Sequence, residues 1–207
     1  MGARPCVIVL ATGQGTPPVI GAGGAFRRGG LAALQQPLGK GSVLAMSVRQ
    51  AIASHWPVTV VTTDMLAATV GRWIATRDIV VVGAADLQRG RGRALAMAVM
   101  AQGDADGWIV LPAERPLVRP ATLRAVGDAL AEHPVAYAQH RGRPGEPTGF
   151  AAELYSELMA LDGDDAPRRL AARYPAAGVE VDDPGVLVDA ASGDGLAQAR
   201  AAVADAA

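Results

Sequence analysis

Lysine is almost missing from this chain: Lys40 is the only one, and every other basic side chain is arginine. The base composition of a genome explains such a bias without a functional cause. Cysteine is equally scarce, so Cys6 can form no internal disulfide, and a reducing cytoplasm is the expected compartment. Cys6 lies in an apolar run and reads as a packed residue rather than a nucleophile. An excess of one charge is absent too, since 19 Lys and Arg against 20 Asp and Glu leave a net charge of -1. Nucleic acid and anionic membrane surfaces need a basic excess and are not expected partners. No apolar run approaches the ~20 residues that cross a bilayer, and the apolar part of "MGARPCVIVLATGQG" is too short for a signal peptide. His55, His133 and His140 are scattered, without the spacing of metal ligands.

What is present is apolar. Half of the 207 residues are hydrophobic, enough for one sizeable core and short for two. Strands are expected at 6–10, 58–63, 78–83, 107–112, 135–139 and 178–182, with helices at 42–54, 65–75, 93–102, 120–132, 151–160, 166–174 and 194–206. The strands are continuously apolar, as in a sheet covered on both faces, and they alternate with helices. The expected fold is a three-layer α/β/α sandwich on a mostly parallel, Rossmann-like sheet, with 1–207 as one domain. Ligands of such sheets bind beyond the carboxyl ends of the strands, which directs attention to 11–41, 83–93, 112–119 and 140–149.

Three of those segments carry candidate chemistry. After the first strand, "ATGQGTPPVIGAGGAFRRGG" is rich in glycine, which lets a backbone approach phosphate closely. It fits neither common fingerprint: Gly39-Lys40 is followed by Gly41, and Pro18 and Phe26 fall where a dinucleotide motif needs its third glycine. Arg27 and Arg28 could still grip an anion bidentately; the competing reading is a solvated loop. In "GWIVLPAERPLVRPAT", Glu114 stands at the end of a buried strand, where a carboxylate holds a hard cation against phosphates. The competing reading there is a surface pair with Arg115. In "RGRGRALAMAV", Gly90-x-Gly92 opens a helix whose first turn offers free N–H groups to an anion, or it is a flexible lead into an ordinary helix.

In order along the chain, "LATG" (10–13), "RGGLAA" (28–33), "LQQPLGKGSVL" (34–44), "GRGRAL" (90–95), "AERPLVRPAT" (113–122), "GRPGEPTGF" (142–150) and "VEVDDPGVLVDAASGDGL" (179–196) resemble the MobA-like NTP transferase family. The closer resemblance is to its molybdenum cofactor (molybdopterin) cytidylyltransferase branch. The resemblance covers essentially the whole chain and implies transfer of CMP or GMP from CTP or GTP to molybdopterin, with Mg²⁺ as cofactor. It implies nucleotide contacts at Leu10, Ala11, Thr12, Gly13, Gly15, Arg28, Gly30 and Gly92, catalytic roles for Arg28 and Glu114, and metal binding at Glu114. The implied partners are a nucleoside triphosphate, a molybdopterin-type cofactor and a molybdenum hydroxylase of the xanthine dehydrogenase type.

Several family positions differ here. The loop lysine aligns with Ala33, the metal-binding aspartate with Glu114, and the two serines of the helix start with Arg93 and Ala94. A histidine aligns with Glu146, and the second of two tail aspartates with Ala191, while Asp189 keeps the first. The loop also carries extra residues around "TPPVIGAGG". Misplacing a reacting group by roughly 1 Å can cost on the order of a hundredfold in rate. Losing a phosphate-facing cation can cost about 10³-fold, so Arg27, Arg93 or Arg115 would have to replace that charge. A catalytically weakened relative that binds nucleotide or molybdenum cofactor is the alternative function. A sugar-phosphate nucleotidyltransferase of the same fold is a third, disfavoured by "DDPGVLVD".

Overall fold

The computed structural model of the chain describes residues 4–13 and 30–205. The elements run β1 (Cys6–Ala11), α1 (Gly30–Leu34), β2 (Pro37–Leu38), β3 (Gly41–Ser42), α2 (Val43–Ile52), β4 (Val58–Thr62), α3 (Asp64–Val70) and β5 (Ile79–Val81). They continue through α4 (Ala84–Gln88), α5 (Gly90–Ala101), β6 (Gly107–Pro112), α6 (Pro120–Ala129), β7 (Val135–His140) and β8 (Arg143–Ala151). The remaining elements are α7 (Tyr155–Met159), α8 (Ala166–Ala171), β9 (Ala176–Glu180) and α9 (Gly193–Asp205).

Seven strands form the central sheet in the order β5-β4-β1-β6-β8-β7-β9. Pairings β4–β5, β1–β4, β1–β6 and β7–β9 are parallel, whereas β8 runs antiparallel to both β6 and β7. The expected mostly parallel α/β sheet flanked by helices is therefore present, with one reversed strand. Its layering follows from alternation: Val7, Val9 and Ala11 of β1 join the core under α2, α3 and α6. Cys6, Ile8 and Leu10 join the core under α5, α7 and α8 on the opposite face. All six residues of β1 are buried, as a strand covered on both sides must be.

Sequence reading misplaced some elements for identifiable reasons. Residues 140–149 read as a loop because Pro144, Gly145, Pro147 and Gly149 look like punctuation. They are most of β8, and Glu146 and Pro147 fall in the register break between Tyr137↔Thr148 and Gln139↔Pro144. A bulge is where proline is tolerated inside a sheet, because no ladder N–H is needed there. The segment 83–93 is not a loop either but α4 followed at once by the start of α5, with Gly90 at φ +84° turning the chain between them. The last strand lies at 176–180 instead of 178–182.

Candidate active site

The carboxyl ends of β1, β4 and β6 lie side by side and open on one edge of the sheet. At the end of β1, the Leu10 and Ala11 side chains belong to the two cores, and their carbonyls accept from Ala113 N (2.9 Å) and Thr62 Oγ1 (3.3 Å). Those two residues form a floor, and Thr12, 7% exposed, continues it. Gly13 (φ +70°) packs directly on Gly30 and Leu31: a Cβ there would meet Leu31 N at 2.6 Å. The two ends of the glycine-rich segment thus lie against each other, with Gly30 itself at φ +59°. Gly15, Arg27 and Arg28 lie outside the described residues.

Beyond β6 the chain turns sharply. Ser47 Oγ donates to Ala113 O at 2.7 Å, Arg115 N donates to Pro112 O at 3.0 Å, and Ala190 N donates to Glu114 O at 2.9 Å. The backbone of this turn is therefore held from α2 on one side and from the tail segment on the other. Glu114 is 3% exposed, and its Oε2 has no hydrogen-bond partner among the described residues. Burial pushes its carboxyl up to about 7; Asp189 adds to the rise, while a bond to its own backbone, Arg115 and Arg91 oppose it. Arg115 is equally enclosed. Its Nη2 stands 3.6 Å from Asp189 Oδ2, too far for a hydrogen bond, and its buried Nε has no partner. Asp189 Oδ1 is fixed by the Ala191 amide at 2.9 Å. This is not the surface pair that the adjacent Glu114 and Arg115 suggested.

Two further buried charges bear on this site: Arg91, whose charge opposes the rise in the Glu114 pKa, and Glu146, which acts on Arg91 and stands where the family has a histidine. Arg91 in the first turn of α5 is 3% exposed, and Glu146 of β8 is 1% exposed and accepts from Thr148 Oγ1 at 3.1 Å. Burial lowers the pKa of Arg91, and the charges of Glu146, Asp164 and Glu114 oppose that. The pairing joins residues 55 positions apart, and in the sequence Arg91 looks like one member of an exposed "RGRGR" run.

The start of α5 does not present free N–H groups. Arg91 N donates to Asp164 Oδ1 at 3.0 Å, Gly92 N to Gly163 O at 3.0 Å, and Gly163 N to Arg89 O at 2.7 Å. Arg91 Nη2 also donates to Asp164 O at 3.0 Å, and Arg89 pairs with Asp162 at 2.8 Å. The 162–164 loop between α7 and α8 acts as a strap over this helix end, and a carboxylate from the chain itself fills the anion position. Gly92 is required for that contact, since a Cβ would meet Gly163 O at 2.7 Å. Arg93 is committed to Asp86 at 2.8 Å, and Ala33 is buried in α1.

Among the described residues no three His, Cys, Asp or Glu side chains converge as a complete metal cage. Two carboxylates are electrostatically coupled here, Glu114, whose Oε2 has no hydrogen-bond partner among the described residues, and Asp189, whose charge raises the Glu114 pKa. Mg²⁺ is commonly held by one or two carboxylates together with substrate phosphates, so this donor set suits a cation that arrives with a nucleotide. Among the described residues no helix is long and apolar enough to cross a membrane.

A mostly parallel sheet flanked by helices, with a carboxylate at the end of a central strand, is the arrangement of a nucleotidyltransferase-type domain. The chain belongs to the MobA-like NTP transferase domain family, which matches residues 7–178. The manganese complex of Rv0371c from Mycobacterium tuberculosis H37Rv is similar, at 20% identity and TM-score 0.75 over 97% of this chain and 100% of that one. A nucleotidyl transferase from Methanothermobacter thermautotroptrophicus is similar at 22% identity and TM-score 0.74 over the whole of both chains (100% of each). Molybdopterin-guanine dinucleotide biosynthesis protein A from Archaeoglobus fulgidus is similar at 16% identity and TM-score 0.63 over 97% and 99%. No curated protein matched.

Proposed function

We propose that this chain transfers CMP or GMP from CTP or GTP to a molybdopterin-type phosphate, releasing pyrophosphate. One observation carries the reading: in a MobA-like NTP transferase, the buried Glu114 carboxylate keeps an unpartnered oxygen at the carboxyl end of β6, beside Asp189. An oxygen of the acceptor phosphate bonds to the α-phosphorus as the bond to the β-phosphate oxygen breaks. The attacking group is already ionised, so no general base is needed, and catalysis rests on positioning and charge. Mg²⁺, held by Glu114 and Asp189 with the phosphates, would neutralise charge developing on the phosphate oxygens.

The residues of the chain then divide the work. Leu10, Ala11 and Thr12 shape the floor, and Gly13 and Gly30 let the backbone come close to the nucleotide. Arg28 and Gly15 keep the phosphate contacts that the resemblance implies. Gly92 serves through the seating of α5, because its amide is already donated to Gly163.

Titration calorimetry with CTP and GTP, each with and without Mg²⁺, tests this reading. Tight binding only with Mg²⁺, followed by pyrophosphate release when molybdopterin is added, is the expected result. Equal affinity with and without Mg²⁺ would overturn catalysis and favour a binding protein that serves a molybdenum hydroxylase. Two observations favour that second reading: Ala33 is buried where the family has lysine, and the strap fills the α5 start.

A further inference from the structure

The cations around this edge of the sheet are unequally satisfied. Arg89 is paired with Asp162 at 2.8 Å, Arg93 with Asp86 at 2.8 Å, and Arg91 donates to the Asp164 carbonyl at 3.0 Å. Arg115 differs. It is 7% exposed, and among the described residues its only ion pair, to Asp189, is stretched to 3.6 Å where Arg91 keeps a 3.0 Å Nη2 hydrogen bond, while its buried Nε finds no hydrogen-bond partner there. An unsatisfied buried donor on a charged group is costly, and a native fold keeps one when something else completes it. The adjacent residue, Glu114, carries the matching defect with opposite sign, an acceptor oxygen without a donor. A divalent cation arriving with a phosphate would satisfy both, Glu114 holding the cation and the Arg115 guanidinium donating to phosphate oxygen.

Resting on the nucleotidyl-transfer reading, we infer that Arg115 is a phosphate-binding residue of this site. It supplies the cation that the family's loop lysine, replaced here by Ala33, would have supplied. Its planar fork suits phosphate, and Asp189 keeps it at the strand end while leaving Nε available. Of the three arginines that could replace the lysine, Arg93 is held away on Asp86, and Arg27 lies outside the described residues.

The test measures affinity for inorganic pyrophosphate and for CTP, both with Mg²⁺, in the unmodified protein and in Arg115→Gln, Arg115→Lys and Arg93→Gln. Thermal unfolding of each protein is followed in parallel. Arg115→Gln should weaken both ligands tenfold or more and flatten the salt dependence of binding. Arg115→Lys, which keeps the charge and carries the test if the Gln variant does not fold, should recover part of the loss. Arg93→Gln should stay within twofold. A purely structural role for Arg115 would lower the unfolding temperature and leave affinities unchanged, and that result overturns the inference while the functional reading stands. Loss of binding in Arg93→Gln but not in the Arg115 variants overturns it as well. An unmodified protein that binds neither ligand overturns the inference together with the reading on which it rests.

Discussion

A carboxyl group that is 3% exposed and pushed up to about 7 binds its proton more tightly in the folded chain than in the unfolded one. The sign of the resulting pH dependence follows directly. Below the ordinary value of 4.5 Glu114 is protonated in both states and has no effect; between 4.5 and about 7 only the unfolded chain ionises, so stability falls as pH rises. Above about 7 the full penalty is present, about 3 kcal/mol at 1.36 kcal/mol per unit. Glu114→Gln should therefore stabilise the fold at pH 8 and leave it nearly unchanged at pH 4, as read by urea unfolding at the two pH values. The same variant should abolish any enhancement of nucleotide binding by Mg²⁺. Ala33 gives the opposite lesson. Because it is 8% exposed and packed within α1, Ala33→Lys should restore no phosphate affinity, and crowding the core should cost about 1–3 kcal/mol, measurable as a lowered urea midpoint.

Among the elements, α5 depends on a partner distant in sequence. Its first turn is closed by Asp164, which accepts from the Arg91 amide at 3.0 Å while its carbonyl accepts from the Arg91 guanidinium at the same distance. Asp164→Ala removes the helix cap and should cost about 1–2 kcal/mol, whereas Asp164→Asn, which keeps an acceptor oxygen, should cost less. Chemical denaturation of the two variants separates the contributions. Helix α6 has a different constraint, because the edge of the Trp56 ring abuts Gly127 and a Cβ there would be 2.2 Å from Cη2. A rigid indole cannot yield, so Gly127→Ala should destabilise by about 1–3 kcal/mol, with part of the loss recovered when Trp56→Ala removes the ring. Thermal unfolding of the single and double variants checks that coupling.

Across the whole molecule, the tail after β9 binds distant parts together. Asp183, 2% exposed, accepts from the Arg119 amide at 2.8 Å, from Thr122 Oγ1 at 2.6 Å and from the Gly185 amide at 3.0 Å. Asp183→Ala leaves three donors without their acceptor and should cost about 2–5 kcal/mol, with early loss of the α6 start seen by hydrogen exchange. Most of the architecture was legible because each strand's apolar run is local: "CVIVL" and "GWIVLP" point to buried strands wherever they occur. Glu114 was legible for the same reason, standing where such a run stops. Arg91, Glu146 and Asp164 were not, since their roles come from contacts between segments roughly 20 to 75 residues apart, and a lone residue's type does not reveal its partner. Strand β8 was missed because its prolines and glycines look like loop punctuation, and only pairing reveals that Pro147 sits in a bulge. The tail has a consequence for synthesis. Glu114 is made well before the residues that complete its surroundings, since the amide that fixes its carbonyl and the aspartate beside it belong to Ala190 and Asp189. A ribosome that stalls anywhere before those codons displays a nascent sheet whose site is still open on one side, so the site closes only after the strands from β1 to β9 have been made.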